Sequence, residues 1–322
     1  MAATILTTAI TPTNPLSLIA NDMREVDSVI ADRLHTSVPL ISQISQYIIA
    51  AGGKRLRPAL LLMICKALGY EESQRFNLAA VVELIHTATL LHDDVVDEST
   101  MRRGRATANE AFGNPASVLV GDFLHTRSFQ MMVAAGSTRV LQILSDATNI
   151  IAEGEVQQLM NMHDASLDEE GYLQVIRSKT AKLFEASAQL GAVLAGSSPA
   201  VEEACATYGQ ALGTAFQIID DVLDYTGDTA EMGKNLGDDL REGKCTLPLI
   251  AAMQRATSSA PVACTMAITV ASCSVEPCSM ASRTMAACSG VARCIAAISG
   301  SVHLPSRRSS PRFLPISAVS PV

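Results

Sequence analysis

Two runs of the form Asp-Asp-x-x-Asp each close a long apolar stretch of this chain. FNLAAVVELIHTATLL leads to Asp93, Asp94 and Asp97, and ALGTAFQII leads to Asp220, Asp221 and Asp224. At about 100° per residue, the first and last aspartates of a run lie about 40° apart on one helix face, one turn from each other. Three carboxylates at the C-terminal end of a buried helix repel one another and also face the negative pole of the helix, so something positive must offset them. For one run alone, a solvated helix end paired with Arg102 and Arg103 is explanation enough. Two runs of the same spacing, on long helices of one bundle, fit clusters that face each other across a cavity. Hard carboxylate oxygens in that array suit Mg²⁺, which keeps several waters and commonly bridges to substrate phosphates.

The rest of the chain supplies the bundle. Apolar positions recur at intervals of three and four, with Gly/Pro breaks between long segments. The pattern predicts helices over about 21–35, 39–51, 58–68, 74–98, 115–134, 137–163, 168–196, 200–226 and 246–255. It shows no alternating run around Asn-Gly or Asp-Gly that would mark a hairpin, and no fixed-period repeat that would mark a solenoid. The expected fold is all-α, one large helical bundle around a central cavity. With 322 residues, 48% of them hydrophobic, the chain has ample apolar material for such a core. Its net charge of −8 argues against a general nucleic-acid binder, which needs a basic face. No apolar run approaches the roughly 18 residues of a membrane span.

Composition divides the chain into three parts. Residues 1–20 carry neither the basic start of a signal peptide nor the arginines of a transit peptide, and are read as a flexible lead-in or an atypical targeting segment. Residues 21–255 form the helical domain. Residues 256–322 hold one acid, Glu276, five Arg and no Lys, and five of the eight cysteines without metal-ligand spacing. Two readings stay open for this tail: a disordered or loosely packed segment, or a sequence from a shifted reading frame. A core of this size has no need of disulfides, and the cytosol is the default compartment.

Cations stand where a phosphate would want them. AGGKRLRP sets Lys54, Arg55 and Arg57 between a glycine pair and the first turn of a helix. Arg102 and Arg103 follow the first acidic run, Lys179 and Thr180 sit mid-helix in IRSKTAKLFEA, and Lys234 and Lys244 flank the loop after the second run. Any one of these reads as a solvated surface charge. Together with the two acidic clusters they describe a site for two polyphosphate groups, one held through metal and one by cations directly.

The segments GGKRLRP, LLHDDVVDESTMRRG, GDFLHTRSFQ, SKTAKLFEA, GTAFQIIDDVLDY and GKNLGDDLREGKCTLPL are similar to those of the trans-polyprenyl diphosphate synthases. The stretch from IHTATLLHDD to RSFQMM resembles most the bacterial octaprenyl diphosphate synthases within that family. The likeness spans about residues 20–255 and breaks off where the tail begins.

This resemblance implies the isoprenoid-synthase type of helical bundle, a homodimer, and two or three Mg²⁺ ions held by Asp93 and Asp97 with Asp220, joined by Asp221 and Asp224. It implies a transferase that adds isopentenyl diphosphate to an allylic diphosphate, such as farnesyl diphosphate, giving a long all-trans chain of about eight isoprene units for quinone side chains. The implied isopentenyl diphosphate site is Lys54, Arg57, His86 and Arg103. The implied allylic contacts are Arg102, Lys179, Thr180, Gln217 and Lys234. His86 lies about 20° from the face of Asp93 and two turns below it, and Gln217 stands three residues before Asp220. A chain growing along the helix that leads into Asp93 would meet Ala88 and Thr89 first, then Leu84, Ile85 and Val81, with the small Ala88 leaving passage open. Two other readings stand beside the synthase. A terpene cyclase has little reason to keep both aspartate runs and a second diphosphate site, and a non-catalytic partner subunit is favoured only by the altered tail.

Overall fold

The computed structural model describes residues 15–227 and 237–259. A 3₁₀ turn, Pro15–Ile19, leads into α1 (Ala20–Arg33), α2 (Pro39–Ala50), α3 (Leu56–Ala67) and α4 (Gln74–Val96). A two-stranded ribbon, β1 (Met101–Arg102) and β2 (Arg105–Ala106), precedes the short α5 (Ala108–Phe112). Then come α6 (Asn114–Ala134), α7 (Thr138–Met160), α8 (Glu169–Ile176), a π-helical turn (Arg177–Ala181) and α9 (Lys182–Leu194). The long α10 (Pro199–Thr226), the one-turn α11 (Asp238–Arg241) and α12 (Leu247–Ser259) complete the described chain. Among the described residues the fold is all-α apart from one small ribbon, as the sequence pattern predicts.

Helix α4 forms the centre. It packs against α6, α3, α1 and α9, and buries Leu78, Val81, Val82, Leu84, Ile85, Ala88 and Leu91 on several sides at once. Its N-cap, Ser73, makes no capping hydrogen bond. A missing cap costs about 1 kcal/mol, whereas each fully buried Leu or Ile contributes about 1.5–3 kcal/mol, so burial rather than capping fixes this helix. Helix α10 lies along α9 through two glycines one turn apart. A Cβ on Gly213 would sit 2.6 Å from the Ala181 Cα, and one on Gly209 2.5 Å from the Phe184 carbonyl oxygen. Only a bare Cα permits that approach, which carries the second aspartate run toward α4.

The short helices α5 and α11 fall outside the predicted spans, and three further details depart from the sequence pattern. The span expected as one helix, 168–196, is α8 and α9 joined through the π-helical turn. The ribbon was not anticipated, because its strands are two residues long and its turn is Arg103-Gly104, both at positive φ (52° and 72°), in place of the usual Asn-Gly. Regular structure also begins inside the expected lead-in, with Ile19 1% exposed against the core. Helix α12 runs across the composition break at residue 256. The remainder of the tail, 260–322, and Lys234 lie outside the described residues.

Candidate active site

Two cavities meet between α4, α7, the π-turn and α10. The first, about 410 Å³, is lined by Asp93, Asp97, Asp220, Asp221, Tyr172 and Lys244 among others. The second, about 450 Å³, is lined by Lys54, Arg57, His86, Thr89, Arg103 and Glu155 among others. Asp93, Asp220, Lys54, Arg102, Arg103, Lys179, Thr180 and Gln217 belong to both walls. The structure thus brings both aspartate runs to one junction, each at the end of its helix.

Within each run the three aspartates divide. Asp93 and Asp97 face the first cavity. Asp94 is turned inward, 1% exposed, and accepts two hydrogen bonds from Arg102, from Nε at 2.8 Å and Nη2 at 2.7 Å. In the second run Asp220 faces both cavities, while Asp224 is fully buried behind the walls. Asp221 lines the first cavity with both oxygens engaged, Oδ2 by the Tyr172 hydroxyl at 2.6 Å and Oδ1 by Gln217 Nε2 at 2.7 Å. Burial pushes the Asp221 carboxyl up to about 6, against those two donors. Thr180 donates to Gln217 Oε1 at 2.8 Å, so a line of hydrogen bonds runs from the π-turn to the second acidic run.

Lysines reach into the acidic junction. Lys179 donates to Gln158 Oε1 at 2.8 Å, pairs with Glu155 at 2.5 Å and stands 3.8 Å from Asp93 Oδ2. The contact depends on Gly154, whose missing Cβ would lie 2.8 Å from the Lys179 amide nitrogen. Burial, with the nearby Asp93 charge, pushes Glu155 up to about 7 against the pull of Lys179. Lys244, after α11, bridges Asp97 Oδ2 at 2.9 Å and Glu242 at 2.7 Å. Burial works against its charge, yet the two carboxylates overcome that and raise its pKa. Burial also raises the pKa of Asp93, an effect that Lys179 opposes and Asp97 reinforces. Glu155, Tyr172 and the α11 pair Asp238 and Asp239 are wall residues that the sequence reading left aside.

The second cavity is cationic and partly aromatic. The Arg57 guanidinium lies 4.5 Å from the centre of the Phe184 ring, and burial lowers its pKa to about 10. Lys54 Nζ lies 5.8 Å from the Phe216 ring centre. Arg103 packs against Gly53, where a Cβ would come within 2.8 Å of the guanidinium. Burial, then the charges of Arg57, Arg103 and Arg102, lower His86 well below the usual histidine value, so the ring is neutral.

The channel residues separate. Thr89 lines the second cavity, whereas Ala88, 1% exposed, lines neither and belongs to the core. Five residues before Asp93, Ala88 is turned about 140° from that face, while Thr89 and His86 stay within about 40° of it. Leu84 borders a small space behind the second cavity, and Ile85 and Val81 are fully buried.

The donor set fits magnesium. Among the described residues no three His, Cys, Asp or Glu side chains converge into a ready-made cage. Mg²⁺ is ordinarily bound through one or two carboxylates with waters and substrate phosphates, and Asp93, Asp97 and Asp220 offer hard oxygens on facing walls of that kind.

Comparison with known proteins agrees with this geometry. The Polyprenyl synthetase family profile matches residues 38–275. The chain is 57% identical over 240 residues to octaprenyl diphosphate synthase of Escherichia coli, covering 74% of each chain. It is 47% identical to the all-trans-nonaprenyl-diphosphate synthase (geranyl-diphosphate specific) of Rhodobacter capsulatus, again covering 74% of each. Among solved structures, the polyprenyl synthase of Caulobacter crescentus, complexed with calcium and isoprenyl diphosphate, superposes with a TM-score of 0.80 at 44% identity, covering 88% of this chain and 85% of that one. Both aspartate runs, the cationic cavity beside them and these likenesses have one explanation: the chain belongs to the polyprenyl synthetase family and is a long-chain trans-prenyltransferase.

Proposed function

We propose that the protein joins isopentenyl diphosphate to an allylic diphosphate at the junction of the two cavities, and that its product is octaprenyl diphosphate. The observation that carries this reading is the shared wall. Asp93, Asp220 and Lys179 border both cavities, so two diphosphates can be held with their reactive ends adjacent.

In this reading Asp93, Asp97 and Asp220 hold Mg²⁺. When bound, Mg²⁺ supplies Lewis-acid neutralisation of the charge that develops on the departing diphosphate. Lys179, Arg102 and Lys244 then grip the allylic diphosphate on the acidic side, and Lys234 is assigned to the same group by likeness alone. Thr180, Gln217 and Tyr172 orient the second run by hydrogen bonds. Asp94 works through Arg102, which it fixes with two charge-assisted hydrogen bonds. Lys54, Arg57, His86 and Arg103 take isopentenyl diphosphate in the second cavity, with its double bond turned toward the allylic carbon. Phe184 and Phe216 supply apolar, electron-rich faces beside that carbon chain.

In this reading the growing chain leaves the second cavity beside Thr89 through an opening into the apolar core. Ala88, the small neighbour of Thr89, is where the reading places that opening. Large apolar side chains stand exposed on α6 (Leu119, Val133) and α7 (Val156, Leu159, Met160), which supports a homodimer through these helices. Among the described residues no helix is long and apolar enough to cross a membrane, in keeping with a cytoplasmic enzyme.

Steady-state kinetics on single variants tests the site map. Arg57→Ala and His86→Ala are expected to raise chiefly the KM for isopentenyl diphosphate, and Lys179→Ala chiefly that for the allylic substrate. Each lost charge-assisted hydrogen bond is worth about 1.5–3 kcal/mol, or roughly 10- to 150-fold. A Lys179→Ala enzyme altered only in its isopentenyl KM would overturn the assignment.

A further inference from the structure

Glu83 has no place in either aspartate run, yet it is a carboxylate on the wall of the cationic cavity. It stands on α4 one turn before His86 with a side chain 14% exposed, and it also borders the small space of about 20 Å³ behind that wall. Arg55 Nε lies 3.9 Å from Glu83 Oε1, while the other side of that guanidinium pairs with Asp27 of α1 at 3.0 Å. Arg55 holds this position from a left-handed backbone, φ 47°, just ahead of α3. Arg57 shares the cavity wall with Glu83, and among the described residues its buried Nε finds no hydrogen-bond partner. Arg103 lies against Gly53 and borders the same small space as Glu83 and Arg55.

Four guanidiniums line this cavity, and Arg55, Arg57 and Arg103, with Lys54, repel one another unless a carboxylate or a bound anion stands among them. A buried carboxylate is costly to keep unless paired, and a glutamine of the same shape would avoid that cost. The carboxylate therefore needs a reason.

We infer that Glu83 is a positioning residue for the diphosphate taken by the second cavity. Its charge keeps Arg55, Arg57 and Arg103 arranged around the cavity, so the cradle is preformed and binding spends less on ordering side chains. The inference rests on the reading of that cavity as the isopentenyl diphosphate site.

The full-length protein tests it through Glu83→Gln, Glu83→Asp and Arg57→Ala. Readouts are KM for each substrate, kcat, and the thermal shift given by inorganic diphosphate in metal-free buffer. Glu83→Gln is expected to raise the isopentenyl KM about tenfold, the scale of one lost charge-assisted contact, and to shrink the diphosphate-induced shift. The allylic KM and kcat should stay within about twofold, and Glu83→Asp, which keeps the charge, should recover part of the loss. A merely structural carboxylate would move both KM values together. That result, an unchanged isopentenyl KM, or tighter diphosphate binding in Glu83→Gln overturns the inference. If Glu83→Gln does not fold, Glu83→Asp decides by the same split between the two KM values. An unchanged isopentenyl KM in Arg57→Ala overturns instead the site assignment beneath it, and the inference with it.

Discussion

His86 shows how burial and charge together set a side chain's form. Its ring is held neutral among Arg57, Arg102 and Arg103, whereas in the unfolded chain it takes up a proton near 6.5. The unfolded state therefore binds more protons between those two values. The contribution of His86 to stability is complete above about 6.5 and is lost as pH falls toward its lower folded value. Glu155 and Asp221, whose carboxyls are raised, titrate with the opposite sign in the same range. The loss is therefore read as the difference between wild type and His86→Gln in chemical denaturation from pH 7.5 downward; a difference that does not change with pH would contradict the neutral ring. The aspartates make a different case. Asp93→Ala or Asp220→Ala should nearly abolish turnover and leave the helical circular dichroism unchanged. Stability in metal-free buffer should hold or rise in Asp93→Ala, since burial already penalises that charge. Turnover like that of the wild type in either variant would remove its metal role. The two runs were legible in the sequence because a repeated spacing is a pattern. Glu155, Tyr172 and Glu83 were not, since each is one residue whose meaning comes from a neighbour far along the chain.

Helix periodicity made the long helices readable, because α4 and its neighbours are fixed by which faces they bury, whereas the short α5 and α11 hold too few residues to show a period. What it missed depends on local backbone detail. The π-turn at Arg177–Ala181 keeps the helical period on both sides and leaves no break in the sequence, yet it presents Lys179 and Thr180 to the cavities. The Arg103-Gly104 turn carries only a glycine as its signal. The same angular reasoning that grouped Asp93 with His86 also sets Ala88 apart from them. Ala88→Phe therefore tests where the growing chain enters the core. Products shortened to C15 or C20, with the first additions preserved, are expected if the core opens at this point. A full-length product would send the channel elsewhere. In that case the extra ring only overpacks the core, at about 1–3 kcal/mol of stability.

At the scale of the whole molecule, the apolar side chains exposed on α6 and α7 call for a partner face. Sedimentation should give about twice the 34.0 kDa chain mass, and Leu119→Arg together with Leu159→Arg should return it to one chain. A wild-type protein that sediments as a monomer would contradict the dimer. The more basic question is whether the junction of the two cavities performs the condensation. Purified protein given labelled isopentenyl diphosphate, farnesyl diphosphate and Mg²⁺ answers it directly through the length of the product. The account predicts metal-dependent incorporation into an all-trans chain of about eight isoprene units, lost on chelation and in Asp220→Ala. A cyclic hydrocarbon released from farnesyl diphosphate, or no incorporation by the folded wild-type protein, would contradict it.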